Sequence, residues 1–332
     1  MKDNSKKIKV AIIGAGLIGL YLAWKLSEAG HKITVFEKKE KIGEKACSAL
    51  VSERIKDFIP LSRSLIENKI NSCQIYFPKK TITLNFNPSH FAIDRQKGAK
   101  LLFGLAQKAG VKILLNQAIN KIPSGFDRII GCDGALSKTR GLLDLPQPSF
   151  RLGLQLFLPI KDSSNYVETW PTKGGFFWKI PRGSQAEYGA LGPLNSIKEE
   201  FKKFCRYQDI DFNEGKVQSA LVPQPRTNIF DILRGKGLIL PRGRNITLCG
   251  DAAGLTKPWS GGGIIWGLTA ADILIKNFPN FEKYHKKIGR FFGPKIFFGK
   301  LSNSLVYFLG KNFPFLLPAR TTYDNDFLIL KK

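Results

Sequence analysis

The sequence predicts an α/β fold in which a parallel-sheet domain is interleaved with an antiparallel-sheet domain. Three observations predict it. A β-branched strand runs straight into a glycine-rich loop and a helix near the N-terminus. Strand–helix–strand patterns return at residues 90–116 and again from residue 243. The segments between, 70–86 and 150–235, read instead as short strands joined by Pro, Gly and Ser turns.

The first unit is the most informative. Val10 to Ile13 is suited to a buried strand, and Gly14, Gly16 and Gly19 follow at G-x-G-x-x-G spacing. Leu17, Leu20, Tyr21, Trp24 and Leu26 recur at helical intervals, and Gly30 stops the helix. Ile33 to Phe36 is a second buried strand and ends on Glu37. In such a unit the first glycine allows a tight turn, the second lets backbone approach a pyrophosphate, and the third lets helix and strand pack closely. The helix N-terminus offers free N–H groups and a positive dipole to phosphates, and the acid accepts hydrogen bonds from a ribose.

After a basic loop, Lys38 to Lys45, comes the small cluster Ala46-Cys47-Ser48-Ala49. Small side chains suit backbone lying against a flat ligand ring; the alternative is a helix-entry loop with Cys47 as a small buried hydrophobe. Gln74 to Phe77 and Thr81 to Phe86 read as paired strands, and Phe91 to Arg95 leads into a helix that Gly110 stops, followed by a strand at Val111 to Leu115. Ile129 to Asp133 is a short hydrophobic strand ending in Asp133-Gly134. That acid can hold a ligand hydroxyl, brace an arginine, or simply make a turn.

Residues 150–235 suggest a sheet with one amphipathic helix, Asn195 to Tyr207, a layer able to roof a pocket. Its aromatics Trp170, Phe176, Phe177 and Trp178 either line that pocket or fill the core. Beyond Asn245 a hydrophobic strand ends at Gly250-Asp251, and Gly261, Gly262 and Gly263 open an apolar helix at Ile264. The tail from Phe281 alternates aromatic pairs, Phe291-Phe292 and Phe297-Phe298, with Lys295, Lys300 and Lys311. It reads as an amphipathic helix that packs on the second sheet or lies on a membrane.

The 332 residues carry 52 Lys+Arg against 26 Asp+Glu, a net charge of +26. The basic residues are scattered rather than gathered into a nucleic-acid module, which argues against nucleic acid as a partner. Five cysteines without a C-x-x-C pair argue for a reducing compartment and against a disulfide framework or a zinc site. No signal peptide and no spanning helix are expected.

Together the N-terminal glycine motif with Glu37, the middle Asp133-Gly134 and the late Gly250-Asp251 resemble the FAD-dependent oxidoreductases of the p-hydroxybenzoate hydroxylase fold. Within that group the chain is most similar to the geranylgeranyl reductase family. The matching stretches are Cys47 to Leu50 (with Ala49 where glycine is expected), Phe91 to Arg95, Phe176 to Pro181, and Asp251 to Ile264. The resemblance covers most of residues 8–276. It implies a Rossmann-like FAD-binding domain made of 1–72, 89–150 and 236–280, an antiparallel-sheet substrate domain made of 73–88 and 151–235, and a basic, aromatic, helical tail, 281–332.

It also implies contacts. Gly14, Gly16 and Gly19 meet the FAD pyrophosphate, Glu37 the adenosine ribose, and the backbone near Ala118 the adenine. Arg95 points towards the phosphates, and Asp133, Gly250 and Asp251 complete the cofactor site, with Asp251 on ribityl or phosphate oxygens. Gly262, Gly263 and Ile264 meet the pyrimidine edge. Cys47, Ser48 and Ala49 lie beside the ring, Cys47 being the catalytic candidate, and Phe176 and Trp178 line the substrate pocket. No metal is implied.

The implied activity is reduction of prenyl C=C bonds by hydride from reduced FAD, with NAD(P)H or another reductant as donor. Partners are a prenyl lipid and an anionic membrane surface, and the location is cytoplasmic, peripheral at the inner membrane face. The alternative is a flavin monooxygenase acting on an aromatic or quinone precursor, because fold alone does not separate these chemistries. A halogenase is disfavoured by Phe176, where a first tryptophan is expected. A flavin-free membrane or nucleic-acid binder would need the glycine and Gly-Asp segments to be incidental.

Overall fold

The chain starts with β1 (Lys9–Ile13), α1 (Leu17–Glu28) and β2 (Lys32–Phe36), then leaves for β3 (Leu50–Ser52), β4 (Ile66–Phe77) and β5 (Lys80–Ile93). It returns through α2 (Arg95–Lys108), β6 (Lys112–Leu114), β7 (Arg128–Gly131) and the short α3 (Lys138–Leu142). A second excursion supplies β8 (Phe150–Leu158), β9 (Tyr166–Thr172), β10 (Gly175–Pro181), β11 (Ala186–Gly192), α4 (Ile197–Tyr207) and β12 (Val217–Pro223). The last return is β13 (Ile246–Leu248), a 3-10 turn at Gly250–Ala253, and α5 (Ile264–Ile275). A long α6 (Phe281–Asn312) and the strands β14 (Arg320–Asp324) and β15 (Ile329–Leu330) follow. This computed structural model describes residues 7–212, 215, 217–225, 238, 240–241, 245–327 and 329–330. The expected domain boundary at 235/236 and Gly243, where the α/β pattern is expected to resume, lie outside the described residues.

The first sheet has the order β13-β7-β1-β2-β6, and every pairing in it is parallel. Strand order reverses between β1 and β7, which is where α/β sheets open a crevice for ligands. One face carries the main core, in which Leu20, Leu22, Leu26, Trp266, Tyr284 and Phe292 are buried under α1, α2, α5 and α6. Among the described residues, no helix of comparable size lies over β1 and β7 on the opposite face. Ile119, Ile122 and Phe126, from a stretch without strands between β6 and β7, pack there on Ala11, Ile13 and Ile129.

The second sheet runs β12-β8-β11-β10-β9-β4-β5-β14-β15, with β3 beside β5. Among the described residues it is antiparallel except at two junctions, β4 with β9 and β5 with β14, which are parallel. Each parallel junction joins strands that other elements separate in the chain, so the second sheet is mixed rather than wholly antiparallel. The β4–β5 hairpin is longer than the sequence pattern suggests, with register shifts at Ile66/Asn68 and Ile70/Ser72 that break its alternation. One face is covered by α4, whose Phe201 and Phe204 pack on Phe177. The other face carries Ile70, Phe86, Trp178, Ile180 and Leu191.

Of the segment 281–332, α6 takes up Phe281–Asn312. The chain then lays Arg320–Asp324 along β5 as a strand, because unpaired edge groups of β5 accept it. The turn beyond is pinned in the interior. Arg54 grips the Asp324 carboxylate with two bonds of 2.9 and 2.7 Å, Lys257 reaches Asp326 at 3.2 Å, and the Trp266 indole donates to the Asp326 carbonyl at 2.7 Å. Among the described residues no helix is long and apolar enough to cross a membrane.

α6 is tied to the first sheet through His285, whose Nε2 lies 2.8 Å from the Thr247 hydroxyl. Burial pushes this imidazole down to about 4 and that of His90 down to about 3. Both folded values lie below the unfolded one, so the unfolded chain binds protons first and stability falls as pH drops from 6.5 towards 4. His285→Gln should flatten this slope, removing about 2 kcal/mol of the acid-side loss after allowance for partial exposure. Urea unfolding between pH 7 and 4.5 measures it; a variant whose stability tracks the wild type across that range contradicts the assignment.

Candidate functional site

The glycine loop is a steric object first. Gly14 has φ +103°, and a Cβ there would lie 2.5 Å from the Cys132 carbonyl oxygen. A Cβ on Gly19 would lie 2.0 Å from the Gly14 carbonyl oxygen, so α1 meets the end of β1 at a distance no side chain permits. Gly16 is different: a Cβ there meets nothing within 4 Å. Gly16 is also the N-cap of α1, which has no side-chain cap and no acid in its first turn. Backbone donors and dipole therefore point into open space, an arrangement suited to a pyrophosphate.

Glu37 stands beside this loop. Its Oε2 accepts the Ala15 N–H at 2.7 Å and its Oε1 accepts the Lys39 N–H at 2.9 Å. A carboxylate has lone pairs left after two such bonds, so it braces the loop and can still take ribose hydroxyls. The Glu37 carbonyl accepts Gln117 N–H at 2.8 Å, which sets the exposed Ala118 next to the acid.

The second glycine segment closes on the first through one side chain. Ile18 of α1 packs against Gly250 and Gly267, where an added Cβ would come within 3.3 and 2.8 Å of it. The turn Lys257–Gly262 is closed by two backbone bonds, Lys257 N–H to Gly262 O at 3.0 Å and Gly261 N–H to Lys257 O at 2.8 Å. It sets Gly263 as the N-cap of α5, ahead of Ile264. Asp251 lies across Gly263, its Oδ1 at 2.7 Å from where a Cβ would be, and its Oδ2 pairs with Lys45 at 2.6 Å. Arg95 holds the same Lys45 loop from the other side, donating to the Gly43 and Lys45 carbonyls at 3.0 and 3.3 Å.

Cys47 and Ser48 are half-buried and Ala49 is buried with φ +47°. The expected glycine at Ala49 thus corresponds to a left-handed backbone, which alanine occupies here. Behind this turn sits Arg182, which donates to the Ser48 carbonyl at 2.7 Å, the Ile93 carbonyl at 2.8 Å and Glu187 at 2.8 Å. Glu187 is fully buried and also accepts Gln155 and the Trp178 indole, each at 3.0 Å. Burial pushes its carboxyl up, against the pull of Arg182 and the two neutral donors. One ionic joint thus fixes the Cys47–Ala49 turn and the Trp178 ring together.

The Trp178 ring lies against Gly189, where a Cβ would come within 2.2 Å of it, and with Phe176 it belongs to the apolar face of the second sheet. That face reaches both turns. Leu50 packs on it, and Leu191 and Val222 lie within 2.8 and 3.2 Å of a Cβ placed on Gly261. Asp133 is turned elsewhere. Its carboxylate accepts Ser137 Oγ at 2.6 Å and both the N–H and hydroxyl of Thr139, at 2.9 and 3.0 Å, so it braces α3. Next along, Arg140 joins α3 to the 250–253 turn by donating to Ala252 O at 3.0 Å.

The structure therefore gathers Gly14, Gly16, Gly19, Glu37 and Ala118 at one end. Cys47 to Ala49, Arg95, Gly250, Asp251 and Gly262 to Ile264 lie at the other, with the first turn of α1 between. Sequence reasoning missed Arg182, Glu187, Lys45 and Lys257. Glu187 carried a signal, being the one acid in the otherwise apolar strand Ala186–Gly192.

A model of the NAD(P)-binding Rossmann-like domain matches residues 12–55. Digeranylgeranylglycerophospholipid reductase 1 of Methanococcoides burtonii is 24% identical over 89% of this chain and 82% of its own length. Kynurenine 3-monooxygenase of Candida albicans is 23% identical over 83% of this chain and 74% of its own. Among solved structures, a geranylgeranyl bacteriochlorophyll reductase-like protein from Thermoplasma acidophilum superposes with a TM-score of 0.74 at 20% identity, covering 90% of this chain and 87% of that one. A mutant of the halogenase PltM in complex with FAD superposes with a TM-score of 0.67 at 14% identity, covering 93% and 78%. The structural likenesses establish the fold.

Arg182 also donates through Nε to the half-buried Glu67 carboxylate at 2.6 Å, so its substitution removes the cation from two acids, of which Glu187 is the fully buried one. Arg182→Met leaves a carboxyl buried without its cation and should lower unfolding stability by about 3–5 kcal/mol. The double variant Arg182→Met/Glu187→Leu should recover a good part of that loss. Urea denaturation checks both; a single variant within about 1 kcal/mol of wild type, as for an exposed pair, contradicts the role assigned here.

Proposed function

We propose that this geranylgeranyl reductase-like chain, an FAD-dependent oxidoreductase, saturates carbon–carbon double bonds of a geranylgeranyl-type prenyl lipid. One observation carries the reading. The two turns assigned to the cofactor ring, Cys47–Ala49 and Gly261–Gly263, both abut one apolar sheet face, a surface suited to an alkene chain. The alignment with a digeranylgeranylglycerophospholipid reductase over 89% of this chain supports it.

The residues fit FAD. The α1 N-terminus and the space at Gly16 would take the pyrophosphate, held by the loop that Gly14 and Gly19 shape. Glu37 would take the adenosine ribose, and the backbone at Ala118 the adenine. Asp251 would bind ribityl or phosphate oxygens, with Gly250 setting its turn and Arg95 nearby. The N–H groups of Gly262, Gly263 and Ile264 at the start of α5 would meet the pyrimidine edge, where helix dipole favours negative charge. Asp133 serves the site through α3. When bound and reduced, FAD would supply the hydride for the reduction, and a nearby acid would supply the proton that completes each saturated bond.

The chain's own part is to align and to exclude water. Arg182 holds the Cys47–Ala49 turn in place, and Trp178 and Phe176 contribute to the apolar wall on which a prenyl chain would lie. Cys47 is the side chain proposed to stand next to the reacting bond. NAD(P)H or another reductant would act as donor without a domain of its own. The domain division given above, a cytoplasmic location and peripheral attachment at the inner membrane face belong to the same proposal.

The second reading, a flavin monooxygenase on an aromatic or quinone precursor, is favoured by the kynurenine 3-monooxygenase relative. Anaerobic photoreduction followed by mixing separates the two. The proposal expects a prenyl lipid to reoxidise the flavin, with the lipid gaining two hydrogens per saturated bond. Rapid reoxidation only by oxygen with a phenol, yielding a hydroxylated product, would replace it with the second reading.

Gly16→Val tests the cofactor site. Nothing stands within 4 Å of the new Cβ, so the flavin-free protein should fold with unchanged melting temperature. The valine would fill the pyrophosphate space, so purified variant should lack flavin. Full flavin content in a folded variant sinks this placement.

A further inference from the structure

Sequence pattern alone offers two aromatic pairs of the tail to a membrane, Phe291-Phe292 and Phe297-Phe298. The first pair cannot serve there, because Phe292 is fully buried against Trp266 and Phe291 packs on Phe327. The apolar surface that α6 leaves uncovered begins later. Phe298, Leu301, Leu305 and Phe308 are 60, 57, 52 and 56% exposed. Their spacing of three, four and three residues puts them on one helix face. The turn after the helix continues it with Phe313, Phe315 and Leu316, 43, 73 and 60% exposed.

This face is displayed rigidly. On the inner side a Cβ on Gly299 would strike the Trp259 ring at 2.5 Å and one on Gly310 the Phe77 ring at 2.2 Å, so the helix sits hard against both neighbours. Tyr307 donates to the Gly175 carbonyl at 3.2 Å. The chain on either side is anchored too, at Phe281 and Tyr284 in the core and at the Asp324–Asp326 turn gripped by Arg54 and Lys257. The exposed stripe is therefore not a helix waiting for its own core.

Charge selects the occupant. Every charged residue from Lys283 to Arg320 is basic. Lys311 and Arg320 are exposed beside the apolar turn, and Lys79 and Lys173 are exposed on the hairpins next to Phe77 and Gly175, which the helix touches. A second copy of a chain with net charge +26 is repelled rather than attracted. Nucleic acid offers nothing to a row of Phe and Leu. A surface that is apolar below and anionic at its boundary satisfies both features.

We propose that the outer face of α6 and the Phe313–Leu316 turn dock on an anionic lipid bilayer, the apolar stripe entering the headgroup–acyl boundary and the cations staying at the headgroups. The proposal rests on the prenyl-lipid reading only for its purpose, which is to bring the apolar sheet face to a substrate dissolved in the bilayer.

The test is co-sedimentation of the full chain with vesicles of phosphatidylcholine plus phosphatidylglycerol, and of phosphatidylcholine alone. Wild type should partition to the anionic vesicles, with binding weakened but not abolished by salt. Leu305→Ser/Phe308→Ser should lower the partition about tenfold or more, and Lys311→Glu should weaken it and reduce its salt dependence. Tyr207→Ser, at an exposed aromatic on α4, should change nothing. These positions are at the surface, and thermal melts would verify that each variant is folded. No sedimentation of wild type, or equal sedimentation of the double variant, overturns the proposal. So does a wild-type dimer that the double variant converts to monomer, which would give the face to a second copy. Flavin reoxidation by a short, water-soluble prenyl alcohol without vesicles reads the chemistry separately. A protein that reacts but ignores vesicles loses only this face; one that binds vesicles but does not react loses only the reductase reading.

Discussion

The rest of the structure depends on how closely the first turn of α1 approaches the backbone around it. Gly19 lies against the Gly14 carbonyl, and Ile18 lodges at Gly250 and Gly267. A side chain at Gly14 or Gly19 would collide with backbone and one at Gly250 would strain it, so glycine there is a geometric requirement, whereas at Gly267 the Ile18 side chain would have to shift. The consequence reaches far along the chain. A loop near the N-terminus and a turn after residue 249 are locked around one helix end, at the point where strand order in the parallel sheet reverses. Free N–H groups, a helix dipole and open space then coincide at Gly16.

The second sheet is held to this frame by two buried ionic joints. Arg182 bridges Glu187 on β11 to the carbonyls of Ser48 and Ile93. Arg54 and Lys257 bind Asp324 and Asp326 and so bring the C-terminal turn against the segment before α5. Burying such charges carries a desolvation penalty that only good geometry offsets, so these joints specify position more than they add stability. They leave the face between them apolar, with Trp178 fixed by its indole N–H rather than free to turn. The proposed hydride transfer to an alkene would use that combination: a dry wall, a fixed ring, and polar groups confined to the edges.

What could be read from the sequence was what local pattern encodes. The strand, glycine loop and helix at Val10 to Glu28 and the turn at Gly250-Asp251 depend on neighbours in the chain, and the structure forms them where the pattern puts them. The same holds for the short strands and the single helix of residues 150–207. Non-local pairing was invisible. Nothing in Arg320 to Asp324 announces a parallel partner at Thr83 to Phe86, and the irregular β4–β5 register blurs its own alternation. Asp133 illustrates the limit for single residues: a strand-end acid reads alike whether it holds a ligand or, as here, Ser137 and Thr139. Phe292 illustrates it for helices. Phe291 and Phe292 look like an exposed pair beside lysines, but only the packed structure tells which side of α6 is outer.

The central claim is that the two glycine segments form one site for one dinucleotide carrying a flavin. Titration calorimetry of the flavin-free protein with FAD, FMN and ADP tests it directly. The account predicts that FAD binds at one site per chain and much more tightly than either fragment, because only FAD spans from Glu37 to the Gly262–Ile264 end. FMN or ADP binding as tightly as FAD would contradict it, since one of the two ends would then contribute nothing.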